Sequence, residues 1–251
     1  MNIYLLAGCG SEASLIAQWM IDIGKIDSLL SYGAEDHIWI GALRHKGAPE
    51  PKLHPALQAL MQQYSERVRY VGDLWTALNS EKVLEKLSKE TCVTMTRAIG
   101  RNALWRLARK MAEFHGIPYH TFIHPAAYVD PSAHVLINNG SVIHPGVHIG
   151  ARANIHCGAL VNTHAIVEHD CTVGENAFIG PGTILCGSVT VGKDVFIGAG
   201  SKVAPAFSIG ERAFIQMGSN VCHDVQDGVT MQNFRSRPRH YKYEEVTDTE
   251  E

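Results

Sequence analysis

The pair with the most chemical promise in this 251-residue chain is His169-Asp170, inside the segment VNTHAIVEHDCTVG that runs from Val161 to Gly174. An imidazole takes up and releases protons near neutral pH, and an adjoining carboxylate can orient it and select its tautomer. The setting makes the pair more than a dipeptide. Stepping by six from Ile149, the chain reads Ile155, Val161, Val167, Val173, Ile179, Leu185, Val191, Ile197, Val203, Ile209, Ile215 and Val221, thirteen aliphatics without a break. His169 and Asp170 hold the third and fourth places of their hexad, where side chains leave the repeat at a corner. Three hexads to a coil put Gly187 above His169 and Ala151 below it. A glycine lets other groups approach the main chain closely, so a possible general base sits beside a bare N–H. A solvated corner histidine without a role has the same signature.

The period itself names the elements that hold the pair. A helix needs apolar residues every 3.6 positions and an ordinary strand every second one; a strict six fits neither. It fits a solenoid of parallel β coils in which each short strand turns one aliphatic inward before the next corner. The residue after the aliphatic is often Gly (Gly150, Gly174, Gly180, Gly192, Gly198, Gly210), and the fourth after it is mostly small (Ala153, Ala159, Ala165, Cys171, Ala177). The reading is a left-handed parallel β-helix of triangular coils, with stacked strands ~4.8 Å apart. Its hand departs from the usual crossover rule, and the hexad pattern is the warrant. The 72 residues from Ile149 to Val221 make four coils of 18. Flat faces and open strand edges call for partners, and three prisms packed about an axis are expected: a homotrimer.

Before the coils the pattern changes. NIYLLA (residues 2–7) reads as a buried strand, and GCGSEASLIAQWMID follows as a Gly turn entering a helix. Gly8 and Gly10 have the spacing that opens a nucleotide-binding turn, although Ala13 stands where a third glycine belongs. A turn without a ligand is the alternative. Strands are expected at His37 to Leu43 and in TCVTMTRAIG, and helices in ALQALMQQYSERV and RNALWRLARKMAEFHG, the second stopping at Gly116 before Pro118. Alternating strands and helices make residues 1–120 a small Rossmann-like α/β domain. Residues 121–225 are assigned to the β-helix, with Ile123, Val129 and Val135 already six apart before LINNGSV shifts the register by two. The hexads stop after Val221, and residues 226–251 read as a polar segment with an acidic tail.

Composition narrows the function. The net charge of −3 leaves no footprint for nucleic acid, and no apolar run reaches the ~18 residues of a membrane span. The N-terminus lacks a signal segment, and the six cysteines show no CxxC spacing, so buried thiols in a cytoplasmic protein are expected.

With HPAAYVDPSAHV, VNTHAIVEHDCTVGENAFIGPGTILCGSVTVG and VFIGAGSKV in view, the chain resembles the bacterial hexapeptide acyltransferases that modify sugars. It is most similar to the sialic acid O-acetyltransferases and the UDP-4-amino-sugar N-acetyltransferases of the UDP-bacillosamine type. The resemblance implies an acetyl-CoA-dependent acetyltransferase acting on a sugar amine or hydroxyl in surface glycan biosynthesis, with no metal. It implies His169 as general base, Asp170 as the acid that orients it, and Asn162 near the acyl site. Gly187 would give its N–H to the thioester oxygen and Ala199 would line the pantetheine groove. Gly8, Gly10 and Ser11 would border the nucleotide-sugar pocket; apart from the resemblance, Arg235, Arg237 or Arg239 are candidates for the coenzyme's phosphates, with a solvated basic tail as the alternative.

Several departures bear on that pocket. The family's Gly-x-Gly-Gly-His turn here ends in Ser11 and Glu12, and its acidic pair after the second strand is replaced by Arg44, His45 and Lys46. Phe178 stands nine residues after His169, where some members carry a second histidine. The closing Gly-x-Pro-Ala is absent, with MQNFRSRPRH in its place. Two rivals remain. His164 and His169 have the H-x4-H spacing of the γ-class carbonic anhydrases, but Tyr128 occupies the region of the third ligand, and His124, His134 and His144 are out of step. The other rival is a non-catalytic hexapeptide scaffold or sugar-binding protein.

Overall fold

A computed structural model describes residues 2–7, 16–18, 20, 37–42, 53, 55–64, 68–73, 92–97, 102–119, 121–135 and 140–232. Strands β1 (Asn2–Ala7), β2 (His37–Ala42), β3 (Val68–Asp73) and β4 (Cys92–Arg97) form a parallel sheet in the order β3-β2-β1-β4. Helix α1 spans Pro55–Gln63 and buries Leu57 and Leu60. The sheet has one strand more than the sequence pattern indicates. The apolar spacing of α1 continues as far as Val68, so periodicity alone reads one long helix. In the structure Tyr64 closes the last turn on Leu60, and Val68 instead pairs with Ile38 on the open edge of β2.

Helix α2 (Asn102–Phe114) ends as its sequence indicates. Gly116 adopts φ +63°, Ile117 N–H donates to Ala112 C=O at 2.8 Å, and Gly116 N–H to Glu113 C=O at 3.2 Å. The pair of bonds satisfies carbonyls that the helix end would orphan. On the other side of α2, Trp105, Ala108 and Ala112 are fully buried.

From Phe122 onward the chain is a parallel β-solenoid of about six turns. Its first face stacks seven two-residue strands, from Phe122–Ile123 to Thr230–Met231. The second stacks six, from Tyr128–Val129 to Asn220–Val221, and the third five, from His134–Val135 to Ser208–Ile209. Partners lie 18 residues apart through the regular part, as in Val167 with Leu185 and Val173 with Val191. All thirteen aliphatics of the six-residue step are at most 1% exposed and form one core. At ~1.5–3 kcal/mol for each side chain withdrawn from water, this column is the main stabilising term.

The ends depart from the step. In the first coil Ile123 pairs with Ile143 and Val129 with Ile149, twenty residues apart, so two residues are added between Val135 and Val142. Much of the LINNGSV excursion, residues 136–139, lies outside the described residues. In the last coil Val225 bridges Ile209 and Met231 pairs with Ile215, a spacing of sixteen. Pairing therefore continues past Val221, where the hexads stop, as far as Met231.

Between residues 144 and 219 each corner is a four-residue turn containing one residue with positive φ. Arg152 (φ 56°), Asp170 (φ 60°), Ser188 (φ 62°) and Ala206 (φ 63°) mark the corner between the second and third faces. His164 (φ 55°), Gly182 (φ 62°), Gly200 (φ 68°) and Gly218 (φ 70°) mark that between the first and second. Helix α2 lies against the remaining corner. Arg106 reaches Asp194 at 3.1 Å, Arg109 donates to Asn176 Oδ1 at 2.9 Å, and Trp105 packs over Gly158.

Candidate functional site

The corner between the second and third faces builds the site, and its hydrogen-bonded coils keep it in register. Asp170 N–H donates to Ala151 C=O and Ser188 N–H to His169 C=O, both at 2.9 Å. Residues 18 apart thus stand directly above one another. Gly150 is required at this spacing, because a β-carbon there would lie 2.8 Å from the His169 amide nitrogen.

His169 has a side chain 57% exposed, and its Nδ1 lies 2.8 Å from Asp170 Oδ2. An ionised carboxylate only accepts, so Nδ1 carries the proton and Nε2 is left with its lone pair. The other edge of the ring lies over Gly187, whose β-carbon, if it had one, would sit 2.6 Å from both Cε1 and Nε2. Only glycine accommodates the ring in this position. Among the described residues, no acceptor takes the Gly187 N–H.

Asp170 is also gripped from below. Arg152 Nε donates to Oδ1 at 2.6 Å and Arg152 Nη2 to Oδ2 at 2.7 Å, a bidentate pair. The Arg152 guanidinium, and after it the His169 ring, hold the Asp170 carboxyl down to about 2. Sequence reasoning missed Arg152. A signal for it exists, since 152 is one coil before 170, but the count of 18 was taken from the histidine, which leads to Ala151 instead.

The remaining sequence candidates divide by location. His169, Asp170 and Gly187 are brought together. Asn162 lies on the corner between the first and second faces, where its Oδ1 accepts from Thr163 N–H at 2.7 Å. Ala199 is on the same corner, two coils later, and accepts from Gly218 N–H at 2.9 Å. The strand Ile166–Val167 separates that edge from His169. His164 is there too, its ring packed on Gly146, so the two histidines of the H-x4-H spacing occupy different corners of one chain. Tyr128, in the region of the third zinc ligand, stacks on His148 with centroids 4.9 Å apart. Among the described residues, no group of three or more His, Cys, Asp or Glu is placed to hold a metal ion. Gly8, Gly10, Ser11, Arg235 and Arg237 lie outside the described residues, as do Glu12, Arg44, His45 and Lys46.

The thiols next to the site are unpaired. Cys171 is buried beneath the corner, its Sγ 3.1 Å from the Cys186 carbonyl, and burial pushes it up to about 11. A thiol so held is unreactive at neutral pH. Phe178 faces outward on the first face and stacks on Phe196 at 4.7 Å, and Phe196 on Phe214 at 4.9 Å.

Comparison with known proteins agrees with this construction. Residues 152–187 and 170–205, the coils that carry the site, match the bacterial transferase hexapeptide family (six repeats). A stretch of 69 residues is 36% identical to part of the bifunctional protein GlmU of Syntrophotalea carbinolica, taking in 27% of this chain and 14% of that protein. Solved structures match over nearly the whole length. GDP-perosamine N-acetyltransferase of Caulobacter crescentus, in a histidine-to-alanine mutant bound to CoA and GDP-perosamine, superposes with a TM-score of 0.70 at 26% identity. The match covers 93% of this chain and 95% of that one. The acetyltransferase domain of PglB from Neisseria gonorrhoeae shares the fold at TM-score 0.71 and 24% identity, over 94% and 98% of the two chains. WeeI of Acinetobacter baumannii shares it at TM-score 0.71 and 16% identity, over 94% and 99%.

Proposed function

We propose that the chain is an acetyl-CoA-dependent acetyltransferase that acetylates an amine of a nucleotide-linked amino sugar for glycan biosynthesis. The observation that carries this reading is the exposed His169–Asp170 pair, its ring seated on Gly187. The relative from Caulobacter that binds both CoA and a nucleotide-linked amino sugar supports the substrate class.

When bound, acetyl-CoA supplies the acyl group as a thioester. The chain's own residues supply the rest. Asp170 accepts from Nδ1 and fixes the ring, so Nε2 points away from the carboxylate as the free base. Nε2 takes the proton of the sugar nitrogen as its bond to the acyl carbon forms, and returns it to the coenzyme's sulfur as the acyl C–S bond breaks, so that the free thiol leaves. A base so positioned contributes ~10²–10⁴-fold. The Gly187 N–H, beside the ring and without an acceptor, is the donor assigned to the thioester oxygen, where one such hydrogen bond contributes ~3–4 kcal/mol. Open space on the other edge suits a pantetheine arm: a β-carbon added at Gly182 or Gly200, flanking Ala199, would meet nothing within 4 Å.

We assign the solenoid to the left-handed β-helices and residues 1–120 to a Rossmann-like domain. The parallel order β3-β2-β1-β4 supports the second assignment. A homotrimer follows from the division of candidate residues between two edges. His169 on one edge, and Asn162 with Ala199 on the other, line a single groove when neighbouring prisms set unlike edges against each other. Half-buried Phe178, Phe196 and Phe214 supply apolar surface for such packing. No described helix is long and apolar enough to cross a membrane, and acetyl-CoA and nucleotide sugars are cytoplasmic metabolites, so we place the enzyme in the cytoplasm.

The test is direct. The protein is incubated with acetyl-CoA and a panel of GDP- and UDP-linked 4-amino sugars, and thiol release is followed alongside product mass. Turnover that requires one of these amines, and that Asp170→Asn reduces by about 10²-fold, supports the reading. No thiol release with any amino or hydroxyl sugar sinks it.

A further inference from the structure

We propose that Arg152 is a positioning residue of the transfer reaction. Clamping both carboxylate oxygens of Asp170 from the coil below, it holds His169 in the tautomer that leaves Nε2 free. The kinetic part of this inference rests on the acetyltransferase reading, while the alignment of the ring does not.

The argument begins with the backbone. Arg152 and Asp170 occupy equivalent corner positions with φ 56° and 60°, so their side chains leave consecutive coils in the same direction. The guanidinium fork then meets the carboxylate at 2.6 and 2.7 Å, leaving the carboxylate no free rotation about its own axis. His169 Nδ1 bonds one of those same oxygens, Oδ2, at 2.8 Å. The ring's orientation is thus inherited from the fork through the carboxylate. Side-chain exposures of 62% for Arg152 and 36% for Asp170 leave the pair open to water. So open an ion pair adds little to stability, and what distinguishes it is the alignment it enforces. Arg152 is itself seated, its N–H donating to Ser132 Oγ at 3.2 Å.

Charge points the same way. The charged groups linked to the His169 ring are Asp170 on its own corner and, through it, Arg152 below, with Asp130 beyond Arg152. Arg152 is the cation of the set, and it offsets Asp170 directly. Arg152 therefore keeps Asp170 ionised, as the acceptor of the Nδ1 proton.

The experiment compares wild type with Arg152→Met and Arg152→Lys by two readouts. In the first, imidazole nitrogens are followed by NMR against pH in the ligand-free protein, His169 being assigned with a His169→Asn variant. Wild type is expected to show one tautomer, protonated on Nδ1. Arg152→Met is expected to lose that preference. Arg152→Lys does not restore it, because an ammonium cannot grip both oxygens. In the second, kcat of Arg152→Met falls about 5- to 20-fold, and KM for acetyl-CoA is unchanged. The same single tautomer in wild type and Arg152→Met overturns the proposal. So does a rise in KM for acetyl-CoA with kcat intact, which would make Arg152 a phosphate-binding residue. If wild type transfers no acetyl group, the function fails, and the NMR comparison still decides whether Arg152 aligns the ring.

Discussion

Two histidine-bearing corners of the same prism turn on a similar positive φ: Asp170 turns one at 60° and His164 the other at 55°. At the first, the ring stands over a glycine with a carboxylate on its Nδ1, and an arginine holds that carboxylate in turn. At the second, the His164 ring also lies on a glycine, Gly146. The polar atoms around it serve the corner: Asn162 Oδ1 caps Thr163 N–H, and the buried His144 sets Nδ1 3.4 Å from Thr163 Oγ1. One type of corner therefore yields a poised base at its third place or a packing ring at its fourth. What decides between them is which residues stand 18 places away and beside the ring. The difference teaches that a repeat supplies sites in multiple and leaves their chemistry to the residues stacked around each one.

The comparison breaks at once if His169 is dispensable. His169→Ala is expected to lower kcat for acetyl transfer about 10³-fold, with the sedimentation coefficient of the assembly unchanged; near-normal turnover would return this corner to the status of the other. A subtler probe places a methyl group under each ring. Gly187→Ala pushes on the exposed His169 ring, which can swing into water, so kcat should drop about 10²-fold with little change in thermal midpoint. Gly150→Ala is the backbone control. Its β-carbon meets the next coil's main chain, and unfolding in denaturant should show a loss of about 1–3 kcal/mol.

The pH profile sharpens the contrast further. Because Asp170 lies near 2, it stays ionised across any workable assay range. A group with so low a value gives up its charge only as pH falls toward 2, so the NMR shift of its carboxyl carbon should stay flat above pH 4. A step above pH 4 would show that the Arg152 fork does not hold the charge. The smallest expected effect is that of Gly146→Ala. The left-handed φ of 69° and contact with the His164 ring should lower stability by about 1 kcal/mol in a denaturant melt, while kcat changes less than threefold.

Much of this is legible without any coordinates. A period of six assigns each residue an inside, outside or corner place without knowledge of its neighbours, which is why all thirteen aliphatics prove buried. The end of α2 is legible because Gly116 and the following Pro118 announce it chemically. Strand β3 is not. Val68 continues an apolar helical spacing, and its capture by Ile38 depends on an edge whose position sequence does not reveal. The last coil is hidden for a related reason: its pairing at sixteen residues brings Val225 and Met231 into place without obeying the step.

Within the site the division is similar. His169, Asp170 and Gly187 could be placed together by counting, since stacking at 18 is a property of the repeat. Counting also puts Arg152 beneath Asp170, but it cannot say which carboxylate a long, flexible side chain will choose. Asp130 and Asp170 both exert their charge on Arg152, and the fork closes on Asp170. The repeat determined the address of every residue because burial follows period. Only the tertiary structure decided the partner, because bidentate pairing depends on distances and directions that no spacing encodes.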